Sequence, residues 1–196
     1  MRFVDPINDV TLNQSIESGT LEEKTIAGAD IDNDDSTEFL ILNYNGTTTN
    51  LLVVDFNDAS TNAYNVSIDG PTGIATGHFN SDTNLDVAVF VRSGSEHLGV
   101  ITLDIQTGQM LGNFSFSGFE IDCYTIGNFL ESSQDSIAMG LYTSSKDGNL
   151  TIIGGNGTIL RTKMMHNEIF GIARFEYGSG MDDIAAMMFD GNLTAI

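Results

Sequence analysis

The chain has 196 residues with an apolar share of 41%, which suits one folded domain and neither a disordered nor a membrane protein. Twenty-seven acidic residues face seven basic ones, a formal net charge of -20, so phosphate backbones and anionic headgroups are repelled and nucleic acid is excluded as a partner. The one cysteine, Cys123, rules out an intrachain disulfide and a thiol-rich metal site, and within Ile121–Ile126 it reads as a small buried apolar residue. No apolar run reaches the length of a spanning helix, and Met1–Pro6 lacks an apolar signal region. The chain therefore reads as soluble, with any export signal lying upstream.

In chain order, the first strand candidates are Phe3-Val4-Asp5 and Val10–Ile16. Then a pattern begins that occurs four times: a short apolar strand, a polar loop, and an acidic residue opening a second strand. Ile26–Ile31 leads to Glu38–Leu42, and Ile74–Phe79 leads to Asp86–Phe90. Thr125–Phe129 leads to Asp135–Met139, and Gly171–Phe175 leads to Asp182–Met187, with a spacing of about 46 to 50 residues.

Hairpins fill the intervals. Leu98–Asp104 turns at Thr107-Gly108 into Met110–Phe116, and Asn149–Ile153 turns at Gly155-Asn156-Gly157 into Thr158–Thr162. No window has a 3.6-residue apolar period with caps, so very little helix is expected. Four short antiparallel strands per repeat describe a propeller blade. The expected fold is thus all-β, one domain over 1–196, with repeats at 24–70, 71–118, 119–166, and 167–196 plus 1–17. The last repeat has only three strands of its own, so the N-terminal strand is expected to complete it and remove an open edge. Two arrangements do this, a closed four-bladed ring or blades completed between chains as in an eight-bladed dimer; the third possibility is a segment of a longer propeller.

The first loop carries the clearest chemistry. Asp30, Asp32, Asp34, Ser36 and Glu38 alternate as D-x-D-x-D-x-S-x-E, which lets carboxylates of a tight loop converge on one hard cation. Ca²⁺ takes six to eight oxygen ligands and suits such a set. The loop is no EF-hand, because Ile41 stands at the twelfth position and no glycine at the sixth.

Gly77-His78-Phe79-Asn80-Ser81-Asp82-Thr83-Asn84-Leu85-Asp86 and the apolar strand after it resemble the FG-GAP repeat of integrin alpha-subunit β-propellers and related surface proteins, whose pattern is G-D-F-N-x-D-G-x-x-D. The resemblance runs at four registers over nearly the whole chain. It implies that the loop joins the first and second strands of a blade and binds calcium. The second site would then be His78, Asn80, Asp82, Asn84 and Asp86, weakened because a neutral imidazole is a poor ligand for a hard ion. In the third loop, one residue shorter in this alignment, Asn128 and Asp135 are too few to hold an ion. In the fourth, Arg174 falls at the first ligand position, where its guanidinium would replace the metal charge by pairing with Glu176 and Asp182.

Sequons begin at Asn13, Asn45, Asn65, Asn113, Asn149, Asn156 and Asn192, where roughly three are expected by chance. With the calcium loop, they favour an extracellular or cell-surface glycoprotein that serves in adhesion, binding or structure, with a protein or carbohydrate ligand. An intracellular scaffold is the alternative, favoured by the free cysteine. No H-E-x-x-H, G-x-S-x-G or P-loop is present, and His78, His97 and His166 are scattered along the chain, so no catalytic residue is assigned. A polysaccharide-acting enzyme is the third reading.

Overall fold

The structure is a computed structural model that describes residues 2–5, 10–13, 25–44, 49–55, 60–66, 70–93, 97–130, 133–143, 145, 147–176 and 181–196. Among the described residues every element is a strand. A hairpin of β1 (Arg2–Asp5) and β2 (Val10–Asn13) precedes four larger antiparallel sheets. The first holds β3 (Ile26–Ala29), β4 (Glu38–Tyr44), β5 (Thr49–Asp55) and β6 (Ser60–Val66). In the second are β7 (Pro71–Gly77), β8 (Asp86–Ser93), β9 (His97–Asp104) and β10 (Gln109–Ser117). β11 (Glu120–Gly127), β12 (Ser136–Tyr142), β13 (Gly148–Gly154) and β14 (Ile159–Met165) make the third. The last is β15 (Ile169–Glu176), β16 (Asp182–Met188) and β17 (Leu193–Ala195). Within each sheet the strands lie in sequence order, as successive hairpins require.

Successive sheets stack face to face. Leu40, Leu42, Leu51 and Val53 of the first sheet pack on Val87, Val89, Ile101 and Leu103 of the second. Phe90, Val100 and Phe116 meet Ile137, Met139 and Ile153, and Ala138, Leu150 and Ile152 meet Ile169, Ile184 and Ala186. Because both faces of an inner sheet are covered, the second strands of the two inner sheets, β8 and β12, are near-continuous apolar runs rather than alternating ones. β12 is buried from Ser136 through Leu141 for this reason. Each such Leu, Ile, Val or Phe contributes about 1.5–3 kcal/mol by burial. The Phe90 and Tyr124 rings stack across the second interface, 15° apart in plane, and the Tyr124 hydroxyl donates to the Ile74 carbonyl. Cys123 is half-buried at the third interface with its thiol against the Ile169 carbonyl.

The first-to-second strand registers correct two details of the sequence alignment. Ala29 pairs with Glu38, Gly77 with Asp86, Gly127 with Ser136, and Phe175 with Asp183. The third loop is therefore as long as the first two, and Ser136, not Asp135, occupies the position of Asp86. Arg174 lies inside β15 opposite Ile184, ahead of the loop rather than at its first ligand position. Matching acid to acid misplaced both, because in these repeats the acid stands one residue ahead of the paired strand position.

Completion of the last sheet by the N-terminal strand of the same chain is corrected. β1 pairs with β2, Arg2 opposite Asn13, and the sheet of β15–β17 keeps three strands. A hairpin partner four residues away is entropically closer than an edge at the far end of the stack. Among the described residues the sheets form an open series, not a closed ring.

Candidate metal centre

The loop between β3 and β4 curls on itself. Asn33 and Asp35 adopt left-handed backbone conformations, φ 61° and 65°, which short polar side chains tolerate better than bulky ones. Both Asp30 oxygens are used, Oδ1 accepting the Asp34 N–H at 3.1 Å and Oδ2 the Asp35 N–H at 3.1 Å. Asp34 Oδ1 accepts the Ser36 N–H at 2.8 Å. These bonds tie Asp30 and Asp34 into the turn; Asp34 and Ser36, expected as ligands, are not part of the convergent carboxylate group of Asp30, Asp32 and Glu38.

Glu38 closes the site from the strand. Its side chain is 2% exposed, and Oε2 accepts the Ile31 N–H at 2.7 Å, while Oε1 is buried with no hydrogen-bond partner. One carboxylate oxygen each from Asp30, Asp32 and Glu38 lie within 4.8 Å of one another. Burial raises the Glu38 pKa, partly countered by the Ile31 N–H, and the charges of Asp32, Asp55 and Asp34 raise it further. Asp32 is raised by desolvation and by the Asp34 charge. An orphaned buried carboxylate oxygen costs several kcal/mol when ionised, and a cation at the centre of these three groups offsets that cost. The donors are hard oxygens, as Ca²⁺ prefers.

The second loop is satisfied differently. Asp86 Oδ2 accepts the N–H groups of Phe79 at 2.9 Å and Asn80 at 3.1 Å, and Oδ1 accepts from Asn80 Nδ2 at 3.2 Å. Asn80 Oδ1 takes the Asp82 N–H, Asp82 Oδ1 takes the Asn84 N–H, and His78 Nδ1 meets the Asn84 carbonyl at 3.1 Å. The five sequence candidates are thus brought together, but each inward oxygen of Asp86 already has a protein donor. Burial still pushes the Asp86 carboxyl up to about 6, against the Phe79 N–H. Asn84 Oδ1 accepts from Asn33 Nδ2 at 3.2 Å, which places the two loops side by side.

The acids of the last two repeats serve as ties between sheets. Asp135 Oδ2 accepts the His78 N–H at 2.9 Å while its own N–H donates to the His78 carbonyl at 2.7 Å. Asp182 repeats this with Asn128, at 2.7 and 2.8 Å. Arg174 Nε lies 3.6 Å from Asp182 Oδ1, so the Asp182 half of the expected pairing forms. Sitting one residue ahead of the strand position turns these carboxylates toward the neighbouring repeat, a role the motif alone did not reveal.

Sequence reasoning missed Asp55, 6% exposed at the end of β5 and close enough that its charge acts on Asp32 and Glu38. The signal was available, since Asp104 ends the matching strand of the second sheet. There it caps a turn, accepting the N–H groups of Gln106 and Thr107 and the Thr107 hydroxyl. Of the sequons, Asn113, Asn156 and Asn192 are exposed and Asn149 is half-buried; Asn45 and the side chains of Asn13 and Asn65 lie outside the described residues.

A stack of antiparallel sheets with an acidic loop between the first two strands defines a propeller-like all-β protein. No family model matches the chain, and no curated protein matches it. Among the solved structures that resemble it in fold are two of one complex. BBS1N in complex with ARL6DN, soaked with mercury, matches 88% of this chain and 53% of its own at 11% identity and a TM-score of 0.61. The same complex soaked with lead matches 99% of this chain and 57% of its own at 14% identity and a TM-score of 0.57. The chain thus spans a little over half the length of these structures. No helix among the described residues is long and apolar enough to cross a membrane.

Proposed function

We propose that the chain is a calcium-binding β-propeller segment of FG-GAP type, a non-catalytic module that binds a protein or carbohydrate ligand at the cell surface. The observation that carries the calcium reading is the buried, unpartnered Glu38 Oε1 beside the Asp30 and Asp32 carboxylates. Calcium in the first loop would be structural: it neutralises charge next to the Ile31 and Leu40 core and fixes the rim on which a ligand rests. The BBS1N structures contain a protein partner, ARL6DN, which supports a protein ligand for this fold, although that step is analogy from architecture. Ring closure by further sheets or by a second chain is supported by the three-stranded last sheet, where Phe175, Met187 and Leu193 remain exposed.

Calorimetric titration of chelator-stripped protein with calcium tests the reading. One dominant site is expected, with a dissociation constant of about 10⁻⁴–10⁻³ M as in extracellular modules, and it is lost in Asp30→Asn. Absence of binding heat at millimolar calcium would remove the metal from the account.

A further inference from the structure

Beside the first loop, on the side of Asp55 rather than of Asp30, lies a cavity of about 160 Å³ between the first two sheets. Its polar wall is made by Asp32, Glu38 and Asp55, and its apolar wall by Val53 and Ile105, with Tyr64 at the side. Gln106 donates from Nε2 to the Ile31 carbonyl at 3.2 Å, so the turn after β9 is fastened to the loop and the wall is fixed. Glu38 contributes the buried oxygen that has no hydrogen-bond partner. We infer that this cavity binds an amphipathic cation, a primary ammonium carried on an aliphatic stem, with the head against Glu38, Asp32 and Asp55 and the stem along Val53 and Ile105.

The wall chemistry selects this class. A divalent ion wants oxygens on every side, and Val53 and Ile105 supply none. An anion is repelled, and a neutral ligand leaves the Glu38 charge uncompensated. An aromatic ring flanking a cation is favourable, which gives Tyr64 a role. The volume equals the share of about five liquid waters, room for a lysine-like stem and head. Calcium in the loop does not remove the need. Asp30, Asp32, Asp34, Glu38 and Asp55 together carry five formal negative charges, and a divalent ion neutralises two. The cavity shares Asp32 and Glu38 with the proposed calcium site and adds Asp55, Val53 and Ile105, so titration without and with calcium separates the two readings.

The chemistry is shared by a lysine side chain of a partner protein and by a free polyamine. The test is an NMR titration of the chain with Nα-acetyl-lysine methylamide and, separately, with spermidine, at about 0.15 M salt so that diffuse attraction is screened. It is run both calcium-free and calcium-saturated. Expected are saturable shifts at the Gln106 side-chain amide and at Tyr64, weakened at least about tenfold in Asp55→Asn. Gln106→Ala, which leaves every carboxylate in place, weakens the Tyr64 shift several-fold and covers the case in which Asp55→Asn does not fold. Asp183→Asn in the last sheet leaves them unchanged. Tighter binding of the lysine amide assigns a protein lysine, and tighter binding of spermidine a polyamine. Shifts spread over all acidic loops, or equal affinity in Asp55→Asn, overturn the inference, and neither result bears on calcium heat in the first loop.

Discussion

Glu38→Gln is expected to stabilise the calcium-free protein and to abolish its stabilisation by calcium. In the metal-free state Glu38 is 2% exposed, its Oε1 has no donor, and Asp32, Asp55 and Asp34 act on it with like charge. Glutamine keeps an oxygen for the Ile31 N–H and adds an amide that donates toward the neighbouring carboxylates. Removing an uncompensated buried charge is worth about 1–3 kcal/mol, or about 2–4 °C per kcal/mol for a domain of this size. With calcium at a hundredfold excess over its dissociation constant, the native chain gains about 2.7 kcal/mol, and the variant gains nothing. Thermal melts of both proteins, with chelator and with calcium, give the four values needed. A variant that melts below the native chain in chelator would mean that Glu38 is compensated by the protein itself.

The second large effect is a reversal in pH dependence. Burial lifts the folded-state pKa of Asp86 to about 6 and moves Glu38 in the same direction. Between the unfolded carboxylate range near 4 and the folded value, the native state binds more protons than the unfolded one. Stability of the calcium-free protein therefore rises as pH falls from 7.5 through about 6, by at most about 3 kcal/mol for Asp86, and that gain is complete only below the unfolded pKa. Asp104 behaves oppositely: although desolvated in part, it is held below its ordinary value by the Thr107 hydroxyl and the N–H groups of Thr107 and Gln106. Its contribution is lost only as pH falls through that depressed value, outside this window. Calcium inverts the trend, since the ion binds ionised carboxylates and is released as they protonate. Urea midpoints at pH 5.5 and 7.5 should increase on acidification in chelator and decrease in calcium. A calcium-free protein that weakens on acidification would show that Asp86 and Glu38 are already stabilised as anions.

Much of the fold was legible because one repeat period imposes one strand pattern. The run Asp86–Phe90 is apolar on both faces, as a strand between two sheets must be, and Thr107-Gly108 and Gly155-Asn156-Gly157 announced their turns. In the first loop the spacing of Asp30, Asp32 and Glu38 pointed to the three carboxylates that approach one another, whereas the alternation alone also named Asp34, which stays outside that group. Other features were not written locally. Whether Asp135 faces its own loop or the next repeat depends on a one-residue register set by pairing of Gly127 with Ser136. Asp55 joins the site only because the end of β5 packs beside the loop, a contact without sequence proximity. The fate of the N-terminal strand depended on competition between a local hairpin and a distant edge, which pattern reading does not weigh.

The most direct test of the calcium assignment is an anomalous-difference map from crystals grown with calcium, using data collected at a long wavelength. The account predicts a peak in the first loop, bounded by carboxylate oxygens of Asp30, Asp32 and Glu38, with Glu38 Oε1 turned to it. Calcium peaks elsewhere on the chain with none in that loop would contradict it.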